Sequence, residues 1–309
     1  MGPDLPPTFE QARPLLTARP LGRTPLGLTA WRLAAGGAQT AADAARPIAA
    51  DLLVGAILDL PEVDVPVTEG MLRDWGVSLD DVIAAATANR SSVQPRVQPI
   101  EGAYLVSSVP YAAYALQTPE AVATLVPGRT PVILVPTTGE LVVAAAEDPA
   151  GLHVAVRVAE RILQSDNRGV SVTPLVRDGS RWVPFEWPGS VAPVVRVLRQ
   201  RWDVAQYAAQ RPLLQAHYAG GQQDYAVAEA AMFAAPDGTT VTSTTLVEGA
   251  PTVLPWVEEV VLVAESGAAQ RVPMAELARI PGLLVRLPDL DPARMYASRF
   301  PTELLPPAR

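Results

Sequence analysis

The chain carries two histidines, His153 and His217, and neither cysteine nor lysine; all 24 of its basic residues are arginine. Without a thiol or a primary side-chain amine, thiolate, Schiff-base and lysine–phosphate chemistry are closed to it. The phosphate-loop signature also needs a lysine, and the sequence holds neither a Gly-rich dinucleotide fingerprint nor the Gly-x-Ser-x-Gly elbow of serine hydrolases. Two imidazoles cannot furnish a multi-histidine metal site. Carboxylates remain: Asp80 with Asp81, Glu258 with Glu259, and Asp289 with Asp291. Asp80 and Asp81 fall in the first turn of a helix, where negative charge is favoured. Asp289 and Asp291 are turn residues between Pro288 and Pro292. No catalytic residue, metal ligand or cofactor is therefore assigned.

The residues that could bind something cluster elsewhere. His217 lies near the end of a long helix, before Gly220, where an imidazolium interacts favourably with the helix dipole. With Tyr218, Asp224 and Tyr225 it forms a short run that could line a pocket. Arg196, Arg199 and Arg201 make the start of the same helix basic, a face suited to an acidic protein partner. The candidate binding residues are thus His217, Tyr218, Asp224, Tyr225, Arg196 and Arg199. His153 shares a helix face with Arg157, Arg161 and Glu160, a pattern read as solvated surface. The tryptophans, Trp31, Trp75, Trp182, Trp187, Trp202 and Trp256, are expected in cores or domain interfaces.

The elements that position these residues are legible in part. The first 45 residues show one short helix capped by Thr8, followed by a stretch rich in Pro, Gly and Ala with little period. Leu52 to Leu60 is an apolar run bounded by Pro61, read as a buried strand. Thr68 caps a helix through Trp75 that stops at Gly76, and Ser78 with Asp81 opens a second to about Asn89. Strands are expected over 103–107, 132–135, 141–145, 170–176 and 182–185, with a helix from Asp148 and Pro149 to Leu163. The three prolines of the stretch from Pro184 to Pro193 mark a domain boundary. Beyond it come a helix over 194–210 that Pro212 kinks or restarts, a strand over 225–233, and strands over 239–247 and 257–263. The expected organisation is α+β: an extension over 1–45, a first domain over 46–188, and a second over 194–309 built on an antiparallel sheet with a long helix packed on it.

Leu53-Val54-Gly55-Ala56-Ile57-Leu58-Asp59, Val67-Thr68, Trp75-Gly76-Val77-Ser78-Leu79-Asp80-Asp81, Val132-Ile133-Leu134-Val135-Pro136 and Asp178-Gly179-Ser180-Arg181-Trp182-Val183-Pro184-Phe185 together resemble the YtpQ-like family of bacterial proteins of unknown function. The resemblance covers about residues 50–186. It implies a fold relationship and carries over no activity and no site residues.

Composition narrows the function class. A formal net charge of −8 repels polyanions, so a nucleic-acid partner is not expected. No apolar run reaches 18 residues, and the prolines and Asp4 near the start do not read as a secretion signal; membrane insertion is not expected and the cytoplasm is the expected location. The absence of lysine fits a GC-rich genome better than avoidance of lysine-directed modification. The reading these points support is a non-enzymatic cytosolic binding or scaffold protein, with a protein partner or self-association. The alternative is a hydrolase using acidic residues, with or without an oxygen-ligated divalent metal.

Overall fold

The computed structural model describes residues 4–35, 42–90, 94–107, 111–165, 168–219, 225–235 and 237–305. The fold is α+β, and the chain divides into two compact units, residues 1–26 with 39–198 and residues 27–38 with 199–309.

The first unit opens with α1 (Phe9–Ala12), capped by the Thr8 hydroxyl on Gln11 N–H, and β1 (Leu16–Gly22). The following helix α2 (Arg23–Ala35) carries the chain into residues of the second unit. Then come β2 (Ala45–Ala49), β3 (Leu52–Asp59), β4 (Asp64–Pro66), α3 (Glu69–Trp75) and α4 (Leu79–Arg90). Here β3 is the apolar run read from sequence. It is buried along all but its last residue because β1 and β2 flank it antiparallel. Thr68 accepts from Met71 N–H, and Gly76 takes the left-handed conformation (φ 66°), so both ends of α3 follow the sequence signals. Ser78 and Asp81 cap α4 reciprocally, Asp81 Oδ2 accepting from Ser78 N–H at 3.0 Å and Ser78 Oγ accepting from Asp81 N–H at 3.2 Å. The Ser78 hydroxyl also donates to the Asp81 carboxylate and holds it below its ordinary pKa.

A second sheet of this unit uses β5 (Arg96–Ile100), β6 (Ala103–Ser107), β7 (Pro131–Thr137), β8 (Glu140–Ala145), β9 (Leu175–Asp178) and β10 (Arg181–Pro184) in the order β10-β9-β7-β8-β6-β5. The short helices α5 (Tyr111–Gln117) and α6 (Pro119–Ala123) precede β7. The long helix α7 (Pro149–Ser165) lays Leu152, Ala155, Val156 and Ala159 onto the sheet. Its first turn comes so near Gly102 that a Cβ on Gly151 would stand 2.6 Å from the Gly102 carbonyl oxygen. Residues 170–174, expected as strand, form none, and β9 begins only at Leu175.

The helix α8 (Ala192–Tyr218) starts in the last residues of the first unit and runs straight through Pro212, where a kink or restart was expected, to near the expected end before Gly220. Pro212 is exposed, as is Ala208, whose carbonyl loses its helical donor, so water can satisfy it. The expected strand over 225–233 is two strands in two sheets. The first, β11 (Ala226–Val227), joins β14 (Thr252–Pro255), β18 (Arg294–Ala297) and β17 (Leu284–Arg286) in the order β11-β14-β18-β17. The second, β12 (Ala231–Ala234), joins β13 (Thr240–Val247), β15 (Glu259–Val263) and β16 (Ala269–Pro273) in the order β12-β13-β15-β16, with α9 (Met274–Leu277) after it. Each sheet holds one parallel pair, β11 with β14 and β13 with β15, so neither is wholly antiparallel. One core, with Leu246, Leu254, Val260, Leu262, Val272 and Leu283, is shared by both sheets and by Tyr207 of α8.

Candidate functional site

The features of the second unit that could bind a partner begin with a pin beneath the surface. Arg294 on β18 is fully buried, at 0% exposure. Its guanidinium donates to Gln210 Oε1 (2.8 Å), Ala228 O (2.7 Å) and Tyr207 O (3.2 Å), and lies 5.1 Å from the centre of the Tyr207 ring. These acceptors are all neutral oxygens, so burial dominates and pulls the Arg294 pKa down to about 10. Tyr207, buried on α8, donates to Ala293 O and accepts from Trp256 N–H, and its pKa is pushed up to about 12 by the same loss of water. Gln210 donates to Pro292 O at 2.8 Å. Together these bonds fasten the middle of α8 to the 292–294 segment and to the residues after β11. One turn on, Arg211 donates to Val227 O and pairs with Glu229 at 2.8 Å.

Fixed in this way, the end of α8 presents a row of aromatic rings. Trp31 of α2 contacts His217 at 5.1 Å between centroids, His217 contacts Tyr218 at 5.1 Å, Tyr218 contacts Tyr225 at 5.0 Å, and Tyr225 contacts Tyr296 of β18 at 5.4 Å. Each contact is edge-to-face, the arrangement that ring quadrupoles favour by about 0.5–1.5 kcal/mol beyond burial. The row has a contour of roughly 20 Å. Register explains its footing, because Tyr296 pairs with Val253 and Val253 with Val227, and cross-strand neighbours share a face. Leu214, Val227 and Leu290 are buried below, with Trp31 and Tyr218 packed on them. His217 is exposed, and Trp31, Tyr218, Tyr225 and Tyr296 are half-buried. Partial burial raises the Tyr218 pKa, helped by the neighbouring Tyr225 and opposed by Arg294.

At the Tyr296 end a cleft of about 180 Å³ opens between the turn after β13, around Gly249 and Pro251, and Ser298 to Phe300. That volume is well below the ~300–1,000 Å³ of sites that enclose a cofactor or small-molecule ligand. A larger open concavity, about 520 Å³, lies in the first unit beside Ile83 and Thr87. Its cationic group, Arg46, is already engaged by Asp80 at 3.0 Å and Gln117 at 2.9 Å.

The sequence-derived candidates are thus only partly united. His217, Tyr218 and Tyr225 meet in one row. Asp224 lies outside the described residues. Arg199 is exposed on α8, separated from His217 by about 27 Å of helix, and Arg196 lies one turn nearer its start, so neither belongs to the row. Sequence reasoning missed Trp31 and Tyr296, which reach the row through tertiary packing, and Arg294, whose burial no local signal announces. Four of the six candidate carboxylates are tied into structure: Asp80 to Arg46, Asp81 to the α4 cap, Glu258 to Thr242 N–H (2.8 Å) and Gln200 Nε2 (2.7 Å), and Glu259 to Arg271 (3.7 Å). Among the described residues no three His, Asp or Glu side chains converge in a way that could hold a metal ion, and no helix is long and apolar enough to cross a membrane.

Comparison with protein-family models, with curated proteins and with solved structures gives no match. The resemblance of residues 50–186 to the YtpQ-like family therefore rests on the quoted residues alone.

Proposed function

We propose that this chain is a non-enzymatic cytoplasmic binding protein whose aromatic row, with the cleft beside Tyr296, takes a protein partner. The observation that carries the reading is the row itself: five rings in continuous contact, half in water, footed on a buried apolar layer and backed by the Arg294 pin. Tyr and Trp in this state combine a large apolar surface with a polar tip and few rotors, which is why they dominate interface energetics. The adjoining cleft is too small for a cofactor and of the size that receives an anchoring side chain.

A photo-crosslinking amino acid at position 218 tests this in cells of the native host. The expected result is a discrete protein adduct that forms from position 218 and not from Val63, an exposed apolar position in the first unit. Indistinguishable adduct patterns from the two positions would overturn the reading.

A further inference from the structure

The outer edge of β12 stands apart from every other strand edge. Unpaired strand edges invite another chain, and they are ordinarily blunted by charge or proline. Here β1, β2, β5, β10 and β16 each contain an arginine and a proline, β4 contains Asp64 and Pro66, and β17 ends on Arg286. At β11 the edge is capped by Arg211, whose Nε–H donates to Val227 O at 3.1 Å. Strand β12 reads Ala231-Met232-Phe233-Ala234, with no charge and no proline.

Its hydrogen-bonding direction follows from the hairpin. Ala235 N–H donates to Thr239 O at 2.7 Å, so in the antiparallel alternation Ala231 and Phe233 turn their backbone groups to β13. Met232 and Ala234 turn theirs outward, where no described residue takes them. Phe233 is 51% exposed, the most exposed of the large apolar side chains at this edge.

We propose that β12 pairs antiparallel with β12 of a second copy of the chain about a twofold axis at Phe233. In this register Met232 of each copy lies opposite Ala234 of the other, and the outward groups of both residues close four N–H···O bonds. Phe233 meets its own counterpart in the closer, non-bonded type of pair, with Cα atoms about 4.5 Å apart, so the two exposed rings cover each other. The strand is its own complement, because its two outward residues flank the exposed Phe233 symmetrically and a second copy satisfies all four outward groups at once. Two molecules of net charge −8 repel, and within β12 itself the pairing brings no charged side chains together. Past the strand ends Asp237 approaches Glu229 of the second copy, whose charge Arg211 already neutralises at 2.8 Å. The contact is small, well under the ~800 Å² per partner of standard interfaces, so the dimer is weak and favoured by salt.

The test uses the full chain. Wild-type mass, measured by light scattering from about 1 µM to about 1 mM, is expected to rise from 32.7 kDa toward twice that value, and further with added salt. Ala234→Pro removes an outward N–H that the hairpin does not use, and is expected to hold the mass at the monomer value with unchanged circular dichroism. Because the chain has no cysteine, Phe233→Cys gives a single thiol at the axis, within disulfide range of its copy. Mild oxidation should convert it to covalent dimer, while Thr245→Cys, exposed on β13 away from the edge, stays monomeric. If Ala234→Pro fails to fold, the cysteine pair carries the test. A wild-type mass constant across the range, a dimer that survives a folded Ala234→Pro, or equal oxidation of the two cysteine variants overturns the proposal. The edge shares no residue with the aromatic row, so failure here leaves the partner-face reading standing.

Discussion

Arg294→Met removes a buried cation and keeps most of its stem. Three oxygens, Gln210 Oε1, Ala228 O and Tyr207 O, then lose their donor inside the fold. A buried polar group left without a partner costs about 1–3 kcal/mol, so the loss is roughly 3–9 kcal/mol in gross terms. Against it stands relief of the burial penalty: a fall of the arginine pKa from 12.5 to about 10 corresponds to about 3 kcal/mol. The unfilled guanidinium volume adds about 1 kcal/mol of destabilisation. The net expectation is a loss of about 4 kcal/mol, and for a unit of this size a melting point lower by about 15 °C. Thermal unfolding followed by circular dichroism measures it. A variant melting within about 2 °C of wild type would refute the view that this guanidinium fastens α8 to the sheet.

Two further outcomes follow from the same structure. Gly151→Ala lies in a helix, where Ala normally gains about 1 kcal/mol over Gly; here the new Cβ meets the Gly102 carbonyl oxygen at 2.6 Å, so a loss of about 1–3 kcal/mol is expected in denaturant titration, and a gain would contradict the packing described. At alkaline pH, Tyr207 and Arg294 act with opposite sign. Tyr207, raised from 10.0 to about 12, contributes stability that is complete below pH 10 and lost as pH rises toward 12. Arg294, lowered to about 10, is penalised while charged and regains stability over the same window. Stability should therefore fall more steeply with rising pH in Arg294→Met than in wild type between pH 10 and 12, since only the tyrosine remains; parallel pH dependence of the two proteins would contradict this.

What could be read in advance was what local chemistry decides. The caps of α3 and α4, the Asp148-Pro149 start of α7 and the buried run of β3 are written within a few residues of where they act. Long-range pairing is not. β1, with Arg19 and Pro20 in its middle, has no apolar run and becomes a strand through its register with β3, some 36 residues on. Alternation over 225–233 correctly signalled extended chain but could not say that Val227 pairs in one sheet and Phe233 in another. The same limit governs the site. His217, Tyr218 and Tyr225 could be grouped because they are near in sequence, while Trp31 and Tyr296 join them only through the fold. Arg196 and Arg199 were drawn in by sharing the helix, and its length keeps them away.

The partner-face reading is most directly tested by affinity capture from the native host with two baits, wild type and Tyr218→Ala/Tyr225→Ala, matched for melting temperature and followed by mass spectrometry. The account predicts at least one protein retained by the wild type and depleted at least tenfold, about 1.4 kcal/mol, on the double variant. Equal recovery of every protein on both baits would contradict it.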